Sequence, residues 1–192
     1  MLKCSHNKGF TLIELLVSVG ILIMVVLIST GIYVYTVGGQ QKNVVTVNLQ
    51  QEGQYLLSMM SKDIRENCLD YDYYITTLPV PVYTLALANS YDSPQTYYAY
   101  RYNLPGRLVE RCQKTSSRCT AASDFAPITM KDVKVDILSF YISPLTNPST
   151  YGVAYAIPPR ITTVLELRSL DRFGVRRLRL ETMVMQRRVE KR

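Results

Sequence analysis

Residues Lys8–Gln41 read KGFTLIELLVSVGILIMVVLISTGIYVYTVGGQQ, and this stretch decides the fold. After Glu14 it contains no charged residue, and most of its side chains are large and apolar. A helix over residues 10–37 would be about 42 Å long at 1.5 Å per residue, and the hydrocarbon core of a membrane is about 30 Å thick. The sequence therefore predicts one long helix whose first half spans a membrane.

The charges before the apolar run predict its orientation. Lys3 and Lys8 precede it, so the positive-inside rule places the N-terminus in the cytoplasm and the large C-terminal part on the exported side of a single-pass inner-membrane protein. A secretory signal has an apolar core of about 7–15 residues followed by a small-residue cleavage site, and this run is too long for one. A plain membrane anchor explains length and orientation equally well but gives no reason for Glu14.

Glu14 is a carboxylate at the edge of the predicted span. Burying an acid in a membrane costs on the order of 2–3 kcal/mol even on the more lenient insertion scale, so an acid in this place indicates a function. A cation that pairs with the Glu14 carboxylate would offset this cost.

The segment Lys8-Gly9-Phe10-Thr11-Leu12-Ile13-Glu14 resembles the processing site of type IV prepilins and pseudopilins. The resemblance implies that a prepilin peptidase removes a leader, residues 1–9, by cutting between Gly9 and Phe10, and that Phe10 is then N-methylated. It also implies that Glu14 pairs with the Phe10 amine of a neighbouring subunit. Gly9 alone would say little, because a glycine before a helix is often only a cap.

Residues 38–192 are predicted to form the exported globular domain. Val45, Leu49, Leu56, Met60 and Ile64 form the apolar stripe of an amphipathic helix. Alternating stretches then predict antiparallel strands, including a hairpin around Leu104-Pro105-Gly106 and a pair joined by residues 171–174. Residues 76–92 and 143–159, which contain several prolines, are expected to be irregular. The fold class is α+β and pilin-like, with one long N-terminal helix on an antiparallel sheet.

The cysteines and the histidine bear on chemistry. Cys112 and Cys119 flank a polar loop, and an oxidising exported side favours a disulfide between them. Cys68 is then expected to be a small buried residue. His6 lies in the leader, so the mature chain would have no imidazole for nucleophilic catalysis or metal binding.

Acidic residues near the end of the helix, such as Asp63 and Asp70, are expected to form a solvated face. We expect no enzyme activity, no metal site and no cofactor.

The C-terminal segment is basic. Residues 168–192 carry nine basic residues against three acids, nearly the whole excess of +7 in the chain. Such strands can contact nucleic-acid phosphates, and Arg176, Arg177 and Arg179 are the candidate contacts of a DNA-binding or adhesion subunit. Solvent-facing strand residues, or pairs with acids of neighbouring subunits, are the favoured interpretation.

The expected function is that of a minor structural subunit of a type IV pilus or a type II secretion pseudopilus. The end of the amphipathic helix, the tyrosine-rich hairpin and the final basic strand resemble minor pilins of the W type and minor pseudopilins of the J type. The implied partners are other pilins in a helical filament, a prepilin peptidase, an inner-membrane assembly platform and membrane lipid. Nucleic acid is a less favoured partner.

Overall fold

Helix α1 spans Leu12–Glu66 without interruption in a computed structural model of the chain. The structure describes residues 11–74, 80–89, 93–130, 132–145, 147, 158–171 and 174–186, and at residues 41, 170, 171 and 174 it describes the backbone only. The chain divides into two compact units, Met1–Val44 and Val45–Arg192. The helix ends where Asn67 donates both its backbone N–H and its side-chain amide to the carbonyl of Asp63, at 3.0 and 2.8 Å, which satisfies an acceptor of the last turn.

Two antiparallel sheets follow in the second unit. The first contains β1 (Cys68–Leu69), β2 (Thr84–Asn89), β3 (Thr96–Asn103), β4 (Leu108–Thr115) and β5 (Ala126–Pro127), paired in that order. The second contains β6 (Val133–Ser143), β7 (Arg160–Asp171) and β8 (Gly174–Met185), also in chain order. Every neighbouring pair is antiparallel, so the α+β architecture predicted from the sequence is confirmed.

The core lies between the helix and the inner faces of both sheets. Leu49, Leu56, Met60 and Ile64 of the predicted stripe are at most 1% exposed, whereas Val45 is half-buried. They pack in one cluster with residues of β2, β3, β4, β6, β7 and β8. Gly53 lies on the same side of the helix, and a Cβ atom there would come within 2.4 Å of the Leu180 side chain on β8.

A short segment, residues 115–125, covers the outer face of the first sheet, and we call it the cover. Cys112 of β4 forms a disulfide with Cys119 of the cover, and both pack with Ala99 and Phe125. The guanidinium of Arg101 lies 3.9 Å from the centre of the Phe125 ring. The outer face of the first sheet is therefore covered around Ala99 and Cys112, and the disulfide that the sequence favoured holds the cover there.

Several expectations require correction. Residues 84–89, inside the stretch expected to be irregular, form strand β2, because Leu85 and Leu87 face the core and Ala86 and Ala88 fit the closely packed outer layer. The strands form two sheets rather than one. Most of the second expected loop, residues 143–159, lies outside the described residues. Cys68 is a free thiol and is only partly buried.

Candidate functional site: an exposed apolar helix with one carboxylate

The first half of α1 presents its apolar side chains to the outside along its whole circumference. Leu12, Met24 and Tyr35 are 84%, 68% and 85% exposed, and the large apolar residues between them are exposed as well. An 18-residue window of this helix has a mean hydropathy of 2.8, and none of that window is buried. We call residues 12–37 the apolar segment. Its length and composition suit a membrane span or the centre of a helical bundle.

The serine and threonine hydroxyls of the apolar segment are satisfied within the helix. Ser29, Thr30 and Thr36 each donate to the backbone carbonyl four residues earlier, at 2.7, 2.8 and 2.8 Å. Ser18 donates to the carbonyl of Leu15 at 2.9 Å. A hydroxyl that is already bonded to its own backbone does not need water, so these residues add little to the cost of entering hydrocarbon.

Glu14 is the exception within this segment. Its backbone N–H donates to the carbonyl of Thr11 at 3.1 Å, so the residue sits in the first turn of the helix. A carboxylate there interacts favourably with the N-terminal end of the helix dipole, by about 0.3–1 kcal/mol at an exposed site. Its side chain is exposed and forms no ion pair with any residue that the structure describes. The geometry therefore leaves this carboxylate available to a cation from elsewhere.

Gly9 and Phe10, the predicted cleavage and methylation sites, lie outside the described residues. Their roles, and the pairing of Glu14 with a Phe10 amine, therefore stay predictions.

The three candidate arginines of β8 do not form one patch. By strand alternation, Arg177 and Arg179 lie on the outer face of the second sheet, and Arg176 points to the opposite face. All three are exposed. Arg177 lies 4.0 Å from Asp136, which also has Arg107 and Arg168 at 3.4 Å. A single phosphate-tracking surface would require the arginines on one side, so this arrangement gives no support to the nucleic-acid interpretation.

A buried polar cluster joins the end of the helix to the first sheet, and sequence reasoning missed it. The carboxylate of Asp63 accepts hydrogen bonds from the Tyr100 hydroxyl at 2.5 Å and from the Arg111 guanidinium at 2.9 Å. Burial raises the pKa of Tyr100 well above its ordinary value, and the hydrogen bond to Asp63 acts in the same direction. Asp63 is only 7% exposed, so the expectation of a solvated acid is wrong. Its position three residues after Met60, on the apolar stripe, was the signal available in the sequence.

A second ion pair holds the cover to the segment that follows the helix. Arg118, next to the disulfide, donates to both oxygens of Asp70 at 2.7 and 3.0 Å. Asp70 is 8% exposed, so this acid is also buried and not solvated. The disulfide and the Arg118–Asp70 pair together tie the outer layer to the rest of the domain.

Residues 4–30 match the family model described as the prokaryotic N-terminal methylation motif. This motif is the prepilin-type signal of type IV pilins and pseudopilins, so the chain carries that signal. Together with the fold and the apolar segment, the motif supports a pilin-like or pseudopilin subunit and fits membrane anchoring. A search of curated proteins and a search of solved structures each found no match.

The motif points to a structural family and to processing by a prepilin peptidase, with other pilins as assembly partners. Among the residues that the structure describes, no group of three or more histidine, cysteine or acidic side chains is placed to hold a metal ion.

Proposed function

We propose that the protein is a minor structural subunit of a type IV pilus or of a type II secretion pseudopilus. One observation carries the proposal: a prepilin-type signal at residues 4–30 lies on an exposed, apolar helical segment whose only charged residue is Glu14. An apolar helix of this kind is stable in a membrane before assembly and in a bundle of similar helices afterwards. Glu14 then serves assembly by pairing with the methylated amine of Phe10 on a neighbouring subunit.

The physical reason for this pairing is the cost of burying charge. Cleavage after Gly9 creates a cationic amine on Phe10, the first residue of the mature chain, and Glu14 is its fifth residue. Leaving one member of a buried ion pair without its partner costs about 3–5 kcal/mol. A bundle that buries both the amine and the carboxylate is therefore stable only if they meet.

The proposed orientation follows from the charges that precede the apolar segment. Lys3 and Lys8 stay in the cytoplasm, and the domain that begins near residue 45 is exported across the inner membrane. The disulfide in that domain is consistent with an oxidising compartment. The peptidase and an inner-membrane assembly platform would act on this membrane form, which lipid surrounds.

The N-terminus of the protein recovered from membranes tests the proposal. Intact-mass analysis should show a chain that begins at Phe10 and carries one added methyl group. Gly9→Val should abolish cleavage, because a branched side chain does not fit where a peptidase requires a small one, and Gly9→Ala is the matched control that should be cut. A wild-type protein that still begins at Met1 would overturn the proposal.

A further inference from the structure

Strand β8 leaves one long edge of the second sheet open. It pairs with β7 along Gly174–Met185, and in the described part of the chain no strand lies on its other side. Just past its end, the N–H of Gln186 donates to the carbonyl of Pro159, the residue opposite in the register, at 2.9 Å. In an antiparallel pair, such hydrogen-bonded positions recur at every second residue. The backbone groups of the alternate residues therefore point away from β7, at Val175, Arg177, Arg179, Glu181, Met183 and Met185.

The side chains of these same residues divide the edge into two halves. Met183 and Met185 are 65% and 48% exposed and form an apolar half with no charge. Arg177 and Arg179 form a basic half, and Glu181 lies between the two. Charged side chains commonly protect an edge strand from pairing, but here they protect only half of it.

The basic half has more positive charge than its surroundings neutralise. Asp136 lies near three guanidinium groups, those of Arg107, Arg168 and Arg177, at 3.4, 3.4 and 4.0 Å. The side chain of Arg177 is 65% exposed, and its contact with Asp136 is the longest of the three. Glu166 of β7 lies opposite Arg179 in the register, but Arg179 forms no ion pair within 4.0 Å with Glu166 or any other residue in the described ranges. A further carboxylate at this place would meet an unneutralised site.

We propose that β8 binds an extended segment of another protein as an additional antiparallel strand. The partner carries acidic residues opposite Arg177 and Arg179 and apolar residues opposite Met183 and Met185. Main-chain hydrogen bonds hold the strand, and these alternate side chains select it. The inference goes beyond the proposed filament role and does not depend on it, because it concerns the domain and not the apolar segment.

Charge argues against a second copy of this chain as the partner. Two antiparallel β8 strands centred on Leu180 would place Arg179 opposite Glu181 and Arg177 opposite Met183, so their common outer face would carry four arginines against two glutamates. Opposite charges that face each other across strands are stabilising, and in this register Arg177 has no acid opposite it. An acidic partner supplies carboxylates to both arginines, whereas another copy supplies one only to Arg179.

The direct test uses full-length protein in detergent and a fluorescent probe peptide, Thr-Val-Thr-Val-Thr-Lys-Thr-Glu-Thr-Glu-Thr. Paired antiparallel, its valines face the two methionines and its glutamates face the two arginines. The protein should bind this peptide, and the Arg177→Glu, Arg179→Glu double variant should bind it about tenfold more weakly. A charge-swapped peptide, with lysine and glutamate exchanged, should bind the double variant more tightly than it binds the wild-type protein. Equal binding of the two peptides to wild-type protein would overturn the proposal.

A second pair of variants tests the backbone. Met183→Pro removes an N–H that points away from β7, so the sheet is retained, whereas Met183→Ala keeps that N–H and shortens the side chain to a similar degree. The proline variant should bind the probe at least threefold more weakly than the alanine variant, and Met130→Ala, at a methionine 61% exposed elsewhere, should bind normally. Equal binding by the two Met183 variants would show that no strand is added.

Two other results would replace the proposal with a different surface. Self-association of the wild-type chain that Met183→Pro abolishes would identify a second copy as the occupant. Tighter binding of labelled single-stranded DNA than of the peptide, lost in the double arginine variant, would identify a nucleic-acid surface. Cleavage and filament incorporation are measured separately, so failure here is distinguishable from failure of the proposed function.

Discussion

Removing the partner of Asp63 should strongly destabilise the domain that contains the two sheets. Asp63 is 7% exposed and accepts hydrogen bonds from Arg111 and from Tyr100, so Arg111→Met would leave a buried carboxylate with the tyrosine alone. Breaking a buried ion pair costs about 3–5 kcal/mol, and because the Arg111 side chain is 24% exposed we expect about 2–3 kcal/mol. A domain of ordinary stability, about 5–15 kcal/mol, would still fold.

Urea unfolding followed by near-ultraviolet circular dichroism measures this change, with tyrosine as the main chromophore since the chain has no tryptophan. Arg107→Met is the matched control, because that arginine is 49% exposed and lies 3.4 Å from Asp136, and its loss should cost less than about 1 kcal/mol. The double variant Asp63→Asn, Arg111→Met should cost less than the sum of its single changes. Equal destabilisation by Arg111→Met and Arg107→Met would refute the reasoning.

Three further predictions concern the same domain. Cys112→Ser should lower the free energy of unfolding by only about 2–3 kcal/mol in non-reducing buffer, because the disulfide closes a short loop. The variant should be as stable as reduced wild-type protein, and no difference from oxidised wild type would contradict this. Burial raises the pKa of Tyr71 to about 12, so the folded state favours its neutral form, and the free energy of unfolding should fall as the pH rises from about 10 toward 12. Tyr71→Phe should make that fall smaller, and a pH profile unchanged by the substitution would contradict this. Gly53→Leu should destabilise by more than about 2 kcal/mol through overpacking against Leu180, whereas Gly53→Ala should be milder because alanine favours the helix; similar melting temperatures for the two variants would count against the close approach.

The long helix, the hairpin and the final strand pair were predictable because their periodicity is local. The stripe from Leu49 to Ile64 repeats with the helix, and the strands alternate, so each pattern directly reports which side is buried. The disulfide was predictable from its polar loop and from the expectation of an oxidising compartment. The signal at Lys8–Glu14 was readable because it is a contiguous motif.

The features that sequence reasoning missed depend on contacts between distant residues. Asp63 accepts hydrogen bonds from Tyr100 and Arg111, and Asp70 accepts them from Arg118, across separations of 37 to 48 residues along the chain. Strand β2 was missed because Leu85-Ala86-Leu87-Ala88 is apolar on both faces, and so lacks the alternation of a half-exposed strand, and because prolines precede it. A strand that is covered on both sides cannot be recognised before its cover is known.

Incorporation of a Glu14→Val variant into filaments tests the central claim most directly. The change should leave membrane insertion and cleavage intact, since the segment remains apolar, but incorporation at matched membrane levels should fall at least tenfold because the Phe10 amine would be buried without its partner. Glu14→Gln should fall between wild type and Glu14→Val. Ser18→Val is the matched control, since its hydroxyl bonds only to its own helix, and it should assemble normally. Co-purification with sheared filaments gives the result, and undiminished incorporation of Glu14→Val would contradict the account.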